Sequence, residues 1–437
     1  MSSILNFSLT RRHLHAGCAA AALALAVLGS AAPASAEDVT IKVLNWQPGG
    51  PDYWAALVKA FEAENPGIKV ELETVPFDRY PEVQGPYIAT KSGPDVMQNN
   101  SGLELYDRRS AYMQLPADLV TSAGADLITY SGGCLNFDLT QACYGLPFGY
   151  QGNVMYYNKA VLKEAGLDPA KPPKTWDEMD AACKAVTAKG KTCLAHGMTG
   201  VFPAYWNFPE VARNFLTEDD MRAVLAGEMP WTDPKMKGIL EAMASIGTRG
   251  WINSNSPSIS MLPDGADIFS SGNAAFASTI IADAVNWQAF GAALGDENVG
   301  AMRWPVLKAD APLANSFSGV ESAVFGVTSW SGKQEAGLKF VKFIAGKTNG
   351  DLLTSIGGGI PLNKNVDQGL FPKSAALEQI REIIKTPTLH VGVLLSGQEA
   401  DALARGWQEV TLGRISVDDW VARMQVALEE SPGKSKD

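Results

Sequence analysis

Histidine and cysteine are scarce in this chain of 437 residues, which has four histidines and five cysteines. The cysteines show no C-x-x-C spacing, so a thiolate zinc site or a thioredoxin-like redox centre has no sequence support and no metal is expected. Beyond residue 36 there is no uninterrupted apolar run of the roughly 18 residues that a membrane-spanning helix needs. Basic residues are outnumbered, 36 Lys and Arg against 47 Asp and Glu, and the formal charge of −11 argues against nucleic acid and anionic membranes as partners. G-x-S-x-G, H-E-x-x-H, Walker A and G-x-G-x-x-G patterns are all missing, and the "GKT" at 346–348 lacks the earlier glycine of a phosphate-binding loop. These absences disfavour several enzyme classes, but not glycosidases, whose paired carboxylates leave no local signature. Internal repeats and long low-complexity linkers are also lacking.

What is present begins with a leader. Arg11 and Arg12 precede an Ala/Leu/Val run, and Ala34-Ser35-Ala36 supplies small residues for cleavage, so residues 1–36 read as an export signal. The Arg pair leaves the Sec and twin-arginine routes both open. Cys18 precedes most of the apolar run, which favours a soluble periplasmic product over a lipoprotein. About 400 residues then remain, enough for two or three domains. The four cysteines of that remainder, Cys134, Cys143, Cys183 and Cys193, allow three connectivities in an oxidising compartment. The two short loops, Cys134 with Cys143 and Cys183 with Cys193, are preferred.

Val39, Ile41 and Val43 alternate as a strand, Tyr53, Trp54, Leu57, Val58 and Phe61 follow at helical spacing, and Ile68, Val70 and Leu72 alternate again. That βαβ pattern predicts an α/β fold with a parallel sheet, whose ligands bind at the carboxyl ends of strands, where the Trp46-Gln47 loop sits. "GLPFGYQGNVMYYNK" (145–159) crowds glycines and aromatics in front of a strand, Val154–Tyr157. It reads as a hinge between two α/β halves, with the aromatics facing a cleft. Asn158 is a helix cap, and "PPKTWDE" offers Thr175 and Glu178 as a capping box. "SAALEQIREIIK" from Ser374 and "SVDDWVARMQVALEE" from Ser416 predict amphipathic helices, and "SPGKSKD" a flexible tail.

A sugar-like solute would need flat aromatic faces and planar amide or carboxylate groups. Trp46, Trp206, Trp251 and Trp287 interrupt loop-like stretches, each near a polar side chain: Gln47, Asn207, Asn253 and Asn286. Each could equally be core. Trp54 and Trp176 fall on helical core stripes. Asp95 either touches solute or holds turn amides. Arg303 on the "AMRWP" loop would suit a sulfonate, phosphate or uronate if it faced the cleft.

Several stretches taken in order resemble one family. They are "KSGPDVMQNN" (91–100), "YGLPFGYQGNVMYYNKAVLKEAGLDPAKPPKTWDEM" (144–179), "IFSSGNAAFAST" (268–279), "FSGVESAVFGVTSWSGKQEAGLKFVKFI" (317–344), "GGGIPLNK" (357–364) and "TLGRISVDDWVARMQVAL" (411–428). The chain resembles the extracellular solute-binding proteins of ABC importers, in the carbohydrate-binding, maltose-binding-protein-like group. The resemblance implies the two-lobed periplasmic-binding-protein fold with a ligand cleft between the lobes. Crossings would fall near Gly149–Gly152, Ser318–Ala323 and Pro361–Gln368. The N-terminal lobe would comprise 37–149 with 323–365, the C-terminal lobe 150–322 with 366–430, and the tail 431–437. By family position Asn99, Asn100, Tyr150 and Gln151 approach the cleft, as do Gly319 and Glu321, the last as hydroxyl acceptor or hinge ion-pair partner. The implied function is capture of a sugar, oligosaccharide, polyol or derivative by a monomer, without cofactor, for delivery to transmembrane permease subunits. An exported glycan-acting enzyme and a sensor-type binding protein for an anionic sugar derivative are the alternatives.

Overall fold

Alternating Val39, Ile41 and Val43 start β1 (Val39–Asn45), and Tyr53, Trp54, Leu57 and Phe61 give α1 (Gly50–Glu64) one buried face. The pattern continues through β2 (Ile68–Thr74), α2 (Tyr80–Thr90), β3 (Val96–Asn99), α3 (Leu103–Asp107) and α4 (Ala117–Asp126). β1 runs parallel to both β2 and β3, the arrangement that the βαβ pattern predicts. This computed structural model describes residues 38–46, 50–76, 79–128, 133–134, 141–281, 287–389 and 394–431. The leader, Gln47, Asn286 and residues 432–437 lie outside the described residues.

After β4 (Leu146–Pro147) the chain enters β5 (Tyr150–Asn158), buried at every position but Gln151. Asn158 ends that strand and caps α5 (Lys159–Glu164), accepting from the Ala160 and Val161 N–H groups. Thr175 and Glu178 form the expected capping box at the head of α6 (Trp176–Thr187). There follow β6 (Thr192–Ala195), α7 (Phe202–Ala212), α8 (Glu218–Leu225), α9 (Pro234–Thr248), α10 (Ala266–Ser270), β7 (Ala274–Ile280), α11 (Trp287–Leu294), β8 (Val299–Met302) and β9 (Phe317–Glu321). The rest is β10 (Val324–Val327), α12 (Gln334–Ile344), α13 (Lys347–Leu352), α14 (Ala375–Ile383), β11 (Pro387–Leu389), α15 (Gly397–Thr411) and α16 (Val417–Glu429). Ser374 and Ser416 cap α14 and α16. Ser431, assigned by sequence to the tail, is fully buried, and its hydroxyl donates to the Ala427 carbonyl.

The strands form two sheets, in the orders β2-β1-β3-β10-β4 and β11-β9-β5-β7-β6, with β8 also on β5. Each sheet has its own packed aromatics. Trp54, Phe61, Phe148, Phe325 and Phe340 pack with the first sheet, and Trp176, Trp231, Trp251, Trp407 and Trp420 with the helices of the second. Each such side chain contributes about 1.5–3 kcal/mol or more by leaving water. Both local disulfides form, Cys134 to Cys143 and Cys183 to Cys193. No described helix is long and apolar enough to cross a membrane.

The chain passes between the sheets at three places lying side by side. Phe148 N–H donates to the Ala323 carbonyl, Ser322 N–H to the Gly149 carbonyl, and Tyr150 N–H to the Ile360 carbonyl at 2.7 Å. Gly149 is needed for this approach, since a Cβ there would lie 3.0 Å from both the Ile360 oxygen and a Leu353 methyl. Of the crossing aromatics, Tyr150 lines a groove that runs under the third crossing, whereas Phe148 is packed in the core. Phe148 lies 4 % exposed, parallel to Trp54 and edge-on to Tyr53, while Tyr150 is packed beside Phe317 with its hydroxyl against Gly319. They find apolar partners on neighbouring elements that no local pattern reveals.

Candidate functional site

β1 and β3 end together, and the residues just past them divide into buried and accessible groups. Trp46 is half-buried, its N–H donating to Gln98 Oε1 at 3.0 Å and its ring edge-on to Tyr80 at 4.9 Å. Asn99 is 1 % exposed, accepting from Gln84 Nε2 at 2.8 Å and donating to the Tyr112 hydroxyl. Its amide is therefore occupied in holding α2 to the strand end. Asn100 is half-buried, and its Nδ2 donates to Glu104 Oε2 at 2.7 Å. Ser101 then donates to the Glu321 carbonyl at 3.1 Å, tying the end of β3 to the second crossing.

On the second sheet Tyr150 pairs with Glu321, Gln151 with Val320, and Gly152 with Gly319. Gly319 admits no side chain, because a Cβ would fall 1.9 Å from the Tyr150 oxygen. Burial, reinforced by the Glu321 charge, holds the Tyr150 phenol well above its ordinary pKa and therefore protonated. Farther along β5, Asn153 Nδ2 donates to the Trp206 carbonyl at 3.0 Å and to Ser278 Oγ at 3.1 Å, fixing α7 over this strand. An unbroken path thus runs from Ser101 through Glu321 and β5 to Trp206. It brings Asn100, Gln151, Glu321 and the start of α7 to the junction of the two sheets.

A buried polar network holds α7 in place. Asn207, fully buried, donates to the Pro203 carbonyl at 2.7 Å and to His196 Nε2 at 3.1 Å, and accepts from Ser278 Oγ at 3.1 Å. His196 Nδ1 then carries the proton and faces Ser256 Oγ, while Asn253 Oδ1 accepts from the His196 backbone N–H at 2.8 Å. Burial pushes the His196 pKa down to about 4, so the ring is neutral at pH 7. Asn207 and Asn253, both solute candidates by sequence, thus have their polar groups occupied by the protein.

Other candidates lie elsewhere. Trp251 is fully buried against Trp176 and donates to Asp180 at 2.6 Å. Trp206 is on a helix, not a loop, and is 2 % exposed. Trp287 is 4 % exposed and donates to the Gly358 carbonyl at 3.1 Å. Asp95 sits at the entering end of β3, accepting from Lys42 N–H, Ser331 Oγ and Lys333 Nζ. Arg303 donates to the Ile383 carbonyl and the Thr386 hydroxyl, in a groove of about 1370 Å³ that runs under the third crossing and along α14. Asn100, Gln151 and Trp206 do not line that groove.

Three residues at the junction were not singled out by sequence: Glu104, Arg108 and Tyr205. Glu104 and Arg108 pair at i and i+4 around α3, a spacing that in sequence looks like an ordinary solvated helix face. Tyr205 on α7 is half-buried, and its phenol is pushed up by burial and then by the Glu104 charge. An aromatic face beside amide and carboxylate groups suits a ligand that presents C–H surfaces and hydroxyls. Among the described residues no group of three or more His, Cys, Asp or Glu is placed to hold a metal ion.

A family profile described as bacterial extracellular solute-binding protein matches residues 56–379. The chain belongs to this family. A binding protein of Brucella abortus is 29% identical over 188 residues, 40% of this chain and 42% of its own. The sn-glycerol-3-phosphate-binding periplasmic protein of Yersinia pestis is 42% identical over 74 residues, 16% of this chain and 17% of its own. The chain therefore spans less than half the length of these relatives. Among solved structures, a chitin oligosaccharide binding protein superposes with a TM-score of 0.76 at 20% identity, covering 91% of this chain and 99% of that one. A maltose-bound protein of T. maritima gives 0.70 at 18%, covering 90% and 99%. These likenesses establish the two-lobed α/β fold. The family and the neighbours are binding proteins.

Proposed function

We propose that this solute-binding protein captures a sugar or sugar-like solute between its lobes and presents it to the permease subunits of an ABC importer. The observation that carries this reading is the hydrogen-bonded path from Ser101 through Glu321 and β5 to Trp206. It links the end of β3 to α7, which in this reading belong to different lobes. A solute touching both sides stabilises the closed arrangement by its differential affinity for it, and the closed form is the one a permease reads.

In this reading the first lobe is 37–149 with 323–365 and the second 150–322 with 366–430. The protein works as an exported monomer, without catalysis, after loss of residues 1–36. Trp46, Asn100 and Gln151, the half-buried members, are the preferred contacts, and Asn99, Trp206, Asn207, Asn253 and Glu321 support them from behind. Relatives that are named for glycerol-3-phosphate, chitin oligosaccharide and maltose support a polyhydroxylated solute. A thermal-shift panel of mono-, di- and oligosaccharides, polyols and their anionic derivatives tests it. A dose-dependent rise in melting temperature without product release is expected. Release of shortened glycan would identify an enzyme instead.

A further inference from the structure

Arg303 lies in a part of the molecule that the proposed solute site does not use. Side chains alternate along β5, so Tyr150 projects from the face opposite Gln151 and Asn153. Asn153 ties the Gln151 face to α7 through the Trp206 carbonyl, whereas Tyr150 lines the groove of about 1370 Å³ under the third crossing. Met302, Ile360 and Ile383 give this groove apolar walls. Its charge runs against that of the chain. Lys174, Arg303, Lys364, Arg381 and Lys385 line it against Glu378 and Glu382, in a protein of net charge −11. Glu382 is already paired with Lys385 at 2.5 Å.

Arg303 is half-buried and fixed, since its Nη2 donates to the Ile383 carbonyl at 3.1 Å and to the Thr386 hydroxyl at 2.8 Å. Neither Nε nor Nη1 has a hydrogen-bond partner among the described residues. The carboxylate whose charge reaches it, Glu210, is held by Arg213 at 3.1 Å. Two guanidiniums thus share one carboxylate, and a positive charge is left over. Two further groups that line the groove are buried with no partner for their donors among the described residues: Trp304 Nε1, on a residue 2% exposed, and the Tyr150 hydroxyl, on a residue 5% exposed.

We propose that this groove is a second binding site, separate from the solute site, which takes a small organic carboxylate with its head group on Arg303 and its apolar body along Met302, Ile360 and Ile383. The donors select the head group, because a guanidinium and an indole N–H can only donate and therefore need an acceptor. A carboxylate also supplies the missing negative charge, and its charge-assisted hydrogen bonds go to a guanidinium already pinned at Nη2, so little further ordering is needed. The apolar walls reward a longer body, by about four-fold in affinity for each methylene that leaves water.

The test is calorimetric titration of the full mature chain with octanoate, 4-phenylbutyrate, butyrate, octan-1-ol and inorganic phosphate. Saturable one-to-one binding of octanoate or 4-phenylbutyrate is expected, about ten-fold or more tighter than that of butyrate, octan-1-ol or phosphate. In Arg303→Gln the affinity for that carboxylate should fall about ten-fold or more, while binding of the best neutral oligosaccharide is unchanged. Octan-1-ol or phosphate binding as tightly as the carboxylates overturns the inference, as does binding of neither carboxylate. A folded Arg303→Gln that keeps its carboxylate affinity, or that loses the oligosaccharide as well, also overturns it. None of these results removes the solute-binding reading, which the oligosaccharide panel tests by itself. The wild-type comparison of octanoate with octan-1-ol and butyrate decides the question even if the variant fails to fold.

Discussion

Replacing Asn207 by alanine separates a solute contact from a structural support. The wild-type amide is fully buried and makes three hydrogen bonds, to Pro203, His196 and Ser278. Ser278 keeps a partner in Asn153, and the Pro203 carbonyl sits in a helix turn that can satisfy it. His196 Nε2 loses its donor and is left buried without one. Two lost bonds at about 1 kcal/mol each, plus about 1–3 kcal/mol for the stranded nitrogen, put the cost near 3–5 kcal/mol. For a lobe of this size the melting temperature should drop roughly 6–20 °C. Differential scanning calorimetry reads that change, and titration with the best neutral oligosaccharide reads affinity in parallel. The reasoning fails if Asn207→Ala keeps its melting temperature but loses binding, since Asn207 would then touch solute directly.

Gly152→Ala puts a Cβ 2.3 Å from the Phe317 ring and 2.8 Å from the Ser318 carbonyl at the hinge, so a loss of about 1–3 kcal/mol in urea unfolding is expected, with weaker solute binding. His196 is held at about 4 when folded against 6.5 when free, so as pH falls the unfolded chain takes up its proton first. Its contribution is intact above about pH 6.5 and shrinks down to about pH 4, by roughly 3 kcal/mol. Stability-versus-pH curves of wild type and His196→Asn should diverge in that window, and parallel curves would refute the assignment. Reducing Cys183–Cys193, which closes a separation of 10 residues, should cost about 2–3 kcal/mol of equilibrium stability, read by unfolding with and without reductant.

Local grammar was legible where neighbours in sequence decide the structure. Asn158 and Thr175 cap helices as written, because a cap needs only the next three residues. The βαβ start and both disulfides were readable for the same reason. Burial set by distant partners was not. Phe148 looks exposed among glycines, yet Trp54, Tyr53 and Phe325 enclose it from two other elements. Trp251 punctuates a loop but fills the core under α6. Glu104 was passed over because an i, i+4 pair with Arg108 is what a solvated face shows.

Small-angle X-ray scattering of the mature chain, alone and saturated with the oligosaccharide that raises its melting temperature most, addresses lobe closure directly. A smaller radius of gyration in the loaded sample is predicted, because the two sheets draw together across the Ser101–Trp206 junction. Identical curves at full occupancy would mean that the solute binds without bringing the lobes together, and the account would be wrong.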